Sequence, residues 1–210
     1  MTEPIHLDKL IRSRVARLQA EYLSSKRASA SALLASLRQG LGREPGAVPS
    51  IWEITLSGLG QARGDMPTKA EQASHDTLTL YALHQQSKSE PMHVAGQNLC
   101  RAVARLASRS NGDHEKAVRR RFDAAATAAT YGELRQHMRG LIQQLRNEGI
   151  PIDYGQLAQD LMEAQWPGGL AKVRRRWVRS YYSSESPVRV DDDSGFSTEP
   201  KQTTNPPGEE

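Results

Sequence analysis

Val118-Arg119-Arg120-Arg121-Phe122 and Val173-Arg174-Arg175-Arg176-Trp177 repeat one pattern: a valine, three arginines and an aromatic. On a helix, positions i and i+4 share a face, so each valine–aromatic pair can anchor in a core. The three arginines then sweep around the remaining surface. A helix that docks one stripe and turns guanidinium forks to water suits phosphate. One such pentad is equally well a solvated basic face; two, with further arginine stripes between them, point to nucleic acid.

The chain around the pentads reads as almost entirely helical, hence all-α. Only 5% of its residues are aromatic, Ala, Leu, Gln and Arg abound, and period-two alternation is nearly absent. The spacing predicts helices over 7–25 and 29–39, then Gly/Pro-rich loops over 42–49 and 57–67 bracketing a short turn with Trp52. Thr68 and Glu71 form a capping box that starts a strong helix through 86. A break over 87–92 separates an N-terminal helical subdomain, 1–90, from a basic helical subdomain, 91–182. Helices are expected there over 94–108, 113–129 and 131–147, the last stopped by Gly149 and Pro151. Asp153 with Gln156 resembles a second capping box, opening a helix through 165. Pro167 falls in the first turn of a final helix ending near 182. Residues 183–210, rich in Ser, Thr, Pro, Asp and Glu, are expected to be a disordered acidic tail.

Charge divides along the same line. The 210 residues hold 28 Lys and Arg against 24 Asp and Glu, a net +4. The segment 183–210 has seven acids and two bases, leaving 26 bases and 17 acids in 1–182, or about +9. Such a body attracts polyanions. The single cysteine, Cys100, excludes an internal disulfide and a multi-thiolate metal site. No basic stretch followed by an apolar run opens the chain, and no window is apolar for eighteen residues, so a soluble, cytoplasmic protein without membrane contact is expected.

At 100° per residue the bases fall into stripes. Arg101, Arg105 and Arg109 lie opposite Leu99, Val103 and Leu106, a row of roughly 12 Å that can track phosphates. Arg119 has Glu115 and Asp123 four residues away, which predicts an intrahelical ion pair. Lys116 and Arg120 have only each other at that spacing, which favours an external anion. Arg121 borders the Val118/Phe122 stripe and can brace the core with its stem. Arg135, Arg139 and Arg146 gather within about 40° along the edge of the stripe Tyr131, Leu134, Met138, Leu141, Ile142 and Leu145. Lys172, Arg175, Arg176 and Arg179 gather opposite Leu170, Val173, Trp177 and Tyr181. Arg120, Arg139 and Arg176 are read as lying on faces without acidic partners.

Catalysis finds little support. His6, His75, His84, His93, His114 and His137 are scattered, with no HxxxH pair or carboxylate cluster for a metal, and no cofactor is expected. His84 shares a face with Ala73, Leu80 and Tyr81 and reads as a core histidine; Trp177 also reads as core. The segment 58–64 lacks the Lys-Ser/Thr ending of a phosphate-binding loop.

Several segments in order carry a family resemblance: Ser36-Leu37-Arg38-Gln39-Gly40-Leu41-Gly42, Ala82-Leu83-His84-Gln85, the first pentad, His137-Met138-Arg139-Gly140-Leu141-Ile142, Ile152-Asp153-Tyr154 with Leu157-Ala158 and Asp160-Leu161, and Val173-Arg174 with Trp177 and Tyr181-Tyr182. Over 33–182 the chain resembles the CasB family, the small subunit of the type I-E CRISPR surveillance complex Cascade. The resemblance implies two helical subdomains and a non-catalytic role. Two copies would sit head to tail, contacting the large subunit and the backbone subunits that carry the CRISPR RNA. It also implies that basic surface holds the target duplex open, chiefly the displaced strand, with Arg38, Arg119, Arg120, Arg121 and Arg139 at the family's basic positions. The segment Trp177-Val178-Arg179-Ser180-Tyr181-Tyr182 lacks a Gly and an Asp often seen there, and the acidic tail departs from the family pattern. The alternatives are a sequence-specific helix-turn-helix regulator, disfavoured because the arginines spread over four helices, and a purely structural adaptor.

Overall fold

In a computed structural model, which describes residues 6–24, 27–60 and 64–185, the strongest helix start in the sequence forms as its spacing predicts. Thr68 Oγ1 accepts from the Glu71 amide at 3.2 Å, and Glu71 Oε2 accepts from the Thr68 amide at 2.7 Å. This capping box opens the fourth helix of the chain. The order is α1 (Leu7–Leu23), α2 (Arg27–Gln39), a 3₁₀ turn (Pro49–Ile51), α3 (Trp52–Leu56), α4 (Lys69–Gln85), α5 (Leu99–Arg109), α6 (Asp113–Thr127), α7 (Tyr131–Asn147), α8 (Tyr154–Ala164) and α9 (Gly169–Glu185). The described residues form no strand, only a one-residue bridge between His93 and Ile152, so the fold is all-α.

α4 is the central element. Every residue from Gln72 to Gln85 is buried, so the helix has no water-facing side. Several of its polar residues meet partners inside: Ser74 donates to the Thr55 carbonyl, His75 Nε2 lies 2.9 Å from the Gly40 carbonyl, and Gln85 accepts from the Met92 amide. Gly40, at the end of α2, lets that helix approach: a Cβ there would stand 2.8 Å from Ile51 and 3.1 Å from His75. His84 is fully buried with Nδ1 2.8 Å from the Tyr154 hydroxyl, as its face predicted.

α8 packs on α1, α4 and α9, and α7 packs on α4. One apolar cluster therefore runs across residue 90, taking Leu7, Ile11 and Val15 of α1 together with Leu157 and Leu161 of α8. Both pentads anchor through their ends: Val118, Phe122, Val173 and Trp177 are all buried.

The helix expected over 94–108 starts later, at Leu99. Asn98 Oδ1 caps it through the Arg101 amide at 2.8 Å, and the residues before it are held extended by Val94–Ile152 and Ile152–Met92 backbone bonds. Asp153 ties three elements there. It caps α8 through the Gly155 and Gln156 amides, accepts from the Gly96 amide and pairs with Arg12 of α1 at 3.0 Å. Burial pushes this carboxyl up, but the bonds from Arg12, Gly96 and Gln156 hold it below the usual range. The last helix also differs from expectation. Pro167 lies in the turn before it, and the helix runs through Glu185, three residues past the expected end. The rest of the expected acidic tail, 186–210, lies outside the described residues.

The buried histidines make stability depend on pH. Burial pushes His84 down to about 3, helped by the positive charges of Lys88 and Arg146, and burial also lowers His93. Both are neutral in the fold and take up protons near pH 6.5 once unfolded. Their contribution is fully present above about pH 6.5 and is lost as pH falls toward the folded values. Urea unfolding should show stability declining from about pH 6.5 downward, with a smaller slope in His84→Gln; identical profiles for parent and variant would contradict this account of His84.

Candidate nucleic-acid interface

α9 shows how the fold sorts its arginines. Val173, Trp177 and Tyr181 face inward, so Lys172, Arg175 and Arg179 turn outward and are exposed. With Arg176, Ser180 and Ser183 they line a shallow groove along the helix. Asn98 Nδ2 donates to Ser180 Oγ at 2.9 Å, which sets the start of α5, with its exposed Arg101, beside that helix. Arg105 and Arg109 follow Arg101 on the exposed side of α5.

A second basic surface runs over α6 and α7. Lys116, Arg119 and Arg120 line one shallow depression with Asp113 and Asp123. Arg120 also lines the next one, with Arg121, Gln136, His137 and Gly140, so the surface continues from α6 to α7. Arg121 crosses to α7, its Nη1 only 3.2 Å from where a Cβ on Gly140 would stand. Arg139, two turns above the start of α7, is exposed.

Two bases, Arg176 and Lys116, have acidic partners that the sequence reading did not give them. Arg176 does not lie on an acid-free face. It donates through Nε to Asp160 Oδ1 at 3.1 Å and through Nη2 to Glu163 at 2.8 Å, because α8 packs under this side of α9. Asp160 Oδ2 accepts from Trp177 Nε1 at 2.7 Å. Burial pushes the Asp160 carboxyl up, while the two acids raise Arg176 against its own burial. Lys116 has an acid at i−3, Asp113 at 3.5 Å, and both side chains are largely exposed. Arg119 donates to the Tyr182 hydroxyl at 2.6 Å, reaching across to α9.

Three further candidates touch the fold directly. Arg135, only 19% exposed, pairs with Asp76 at 3.0 Å and with Glu44 at 3.5 Å, and donates to the Arg43 carbonyl. Asp76 also accepts from Tyr131 and Gln72, yet burial still raises its carboxyl. Arg146 Nε donates to the Gln86 carbonyl at 2.9 Å and Arg38 Nη1 reaches the Ala82 carbonyl at 3.5 Å, both at the negative end of α4. Sequence reasoning missed Arg12 on Asp153, and Arg174, which donates to the Ala126 and Ala128 carbonyls at the end of α6. No periodicity in α9 or α1 marks these, since each partner comes from a distant segment.

Among the described residues, no group of three or more His, Cys, Asp or Glu could hold a metal ion, and no helix is long and apolar enough to cross a membrane. Cys100 is buried, which pushes its thiol up out of the reactive range.

The family model of the CRISPR-associated protein Cse2 matches residues 33–182. The chain belongs to this family. The matched segment takes in the second half of α2, α3 to α8 and most of α9, which carry all fourteen candidate bases, and the resemblance to CasB is borne out. The crystal structure of CasB from Thermobifida fusca is similar at 33% identity and a TM-score of 0.70, covering 85% of this chain and 98% of that one. A Cse2-family CRISPR-associated protein from Thermus thermophilus is similar at 26% identity and a TM-score of 0.63, covering 84% and 97%. No curated protein matches the chain.

The two neighbours Arg175 and Arg176 should behave oppositely. Arg176→Ala leaves a buried carboxylate oxygen of Asp160 without its partner and should lower the unfolding free energy by about 1–3 kcal/mol. Arg175→Ala, on the exposed side, should stay within about 0.5 kcal/mol of the parent. Equal losses for the two variants in urea unfolding would contradict this division of the pentad.

Proposed function

We propose that this CRISPR-associated protein is a non-catalytic small subunit of an RNA-guided surveillance complex of the Cascade type. It grips nucleic-acid backbone without reading sequence and steadies the opened target DNA, chiefly the displaced strand. The observation that carries this reading is the pair of basic surfaces, one on α9 and one over α6 and α7, whose outward bases outnumber the acids beside them. Such surfaces offer charge and guanidinium forks to phosphate, and their bases are spread over α5, α6, α7 and α9 instead of gathering on one recognition helix.

The energetics suit the role. Replacing a DNA duplex by an RNA–DNA heteroduplex under guidance is nearly balanced, so modest backbone contacts tip it. The partners are then the CRISPR RNA and target DNA, through their phosphates, and the backbone and large subunits of the complex. A second copy of this chain beside the first, and a cytoplasmic setting, belong to the same reading. The nucleic-acid contacts comprise the exposed Arg101, Arg105, Lys116, Arg119, Arg120, Arg121, Arg139, Lys172, Arg175 and Arg179. Arg38, Arg135, Arg146 and Arg176 contribute through whichever guanidinium nitrogens their internal bonds leave outward.

The test uses the complex reconstituted with its guide RNA. Arg120, Arg139 and Arg175 are all exposed, so replacing the three by Ala should leave assembly and RNA content unchanged. Target opening should be less complete, with the displaced strand more reactive toward a probe of unpaired bases. If the triple variant opens target DNA as fully as the parent, these arginines are solvated faces only.

A further inference from the structure

The last turn of α9 carries an aromatic ladder that leads from the core to the surface. Phe122 of α6 stacks on the buried Tyr181, with centroids 4.7 Å apart and planes at 20°. Tyr182 stands edge-on to Tyr181 at 5.3 Å and 76°, and 47% of it meets solvent. Arg119 holds it from the other helix, donating to its hydroxyl at 2.6 Å with the guanidinium 5.6 Å from the ring centre. An exposed tyrosine fixed by two neighbours loses little side-chain freedom when something stacks on it.

Its position gives the ring a use. Arg119 lines the α6 depression, while Arg179, three residues before Tyr182 on α9, and Ser183, next to it, line the α9 groove. The ring therefore stands between the two basic surfaces, with Arg119 on one side and Arg179 and Ser183 on the other. Polyanion backbone crossing from one surface to the other passes Tyr182. A duplex keeps its bases stacked on one another and offers the ring nothing, whereas an unpaired strand offers a base.

We propose that Tyr182, held by Arg119 and Tyr181, is a stacking platform for one base of an unpaired strand. This rests on the nucleic-acid reading above and adds to it a preference for single strands over duplex. Arg119 has two parts in it: it fixes the ring and leaves positive charge beside the phosphate that follows the stacked base.

The experiment uses the full chain, a fluorescent single-stranded oligonucleotide of mixed sequence, and an abasic strand of the same length with the same phosphates. The parent should bind the base-bearing strand more tightly. Tyr182→Ala should weaken that binding by about 5- to 140-fold, the worth of one stacked base, and leave the abasic strand unchanged. Tyr182→Phe, which keeps the ring and loses the bond from Arg119, should stay near the parent, and Tyr182→Trp should bind at least as well. Circular dichroism should show all three folded, since the ring is half exposed. A parent that binds both strands equally overturns the platform while leaving the backbone reading intact. So does a Phe variant as weak as the Ala variant, since the hydroxyl contact would then be what matters. A parent that binds neither strand overturns the nucleic-acid reading and the platform with it.

Discussion

Asp160 sits in the α8–α9 interface with one oxygen accepting from Trp177 Nε1 and the other from the Arg176 guanidinium. A carboxylate buried without such donors would be costly, so this pairing holds α9 at one rotation against α8. The rotation decides the outer face of α9. With Arg176 and Trp177 turned toward α8, positions 172, 175 and 179 point to water, and the basic groove of α9 follows from that register. A buried acid thus determines where exposed bases stand.

The same sorting recurs through the fold. Arginine serves as a connector wherever a helix end or a buried acid needs a donor. Arg12 reaches Asp153, Arg135 reaches Asp76, Arg174 reaches the end of α6, and Arg146 reaches the end of α4. Its five donors and long stem suit both tasks, bridging between helices and meeting phosphate. The chain's excess of arginine is therefore two populations. One satisfies internal polar groups of α4 and α8 and at the end of α6, and the other remains outside on α5, α6, α7 and α9.

Most of the helices, the caps at Thr68 and Asp153 and the inward faces of both pentads were legible in the sequence because each is a local signal, whereas the cap at Asn98 was not and α5 was expected too early. Thr68 with Glu71, Asp153 before Tyr154, and the i, i+4 pairs Val118/Phe122 and Val173/Trp177 need only near neighbours. The burial of α4 on all sides was not legible, since its Gln, Ser, Thr and His residues look like a water-facing stripe until their distant partners are known. Arg176 misled for the same reason: its acids, Asp160 and Glu163, lie on the preceding helix and have no fixed helical spacing to it. The family resemblance was readable from six short segments in order. The platform at Tyr182 was not, because it depends on α6 and α9 meeting at Arg119.

Outward bases that meet phosphate release counterions, so their binding weakens as salt rises. The most direct measurement is the affinity of the full chain for a random-sequence DNA strand as a function of salt. Log affinity should fall linearly with log salt, with a slope shallower by about one unit for each of Lys172, Arg175 and Arg179 replaced by Ala. A flat dependence in the parent, or a slope that the three substitutions leave unchanged, would contradict phosphate contact by these bases.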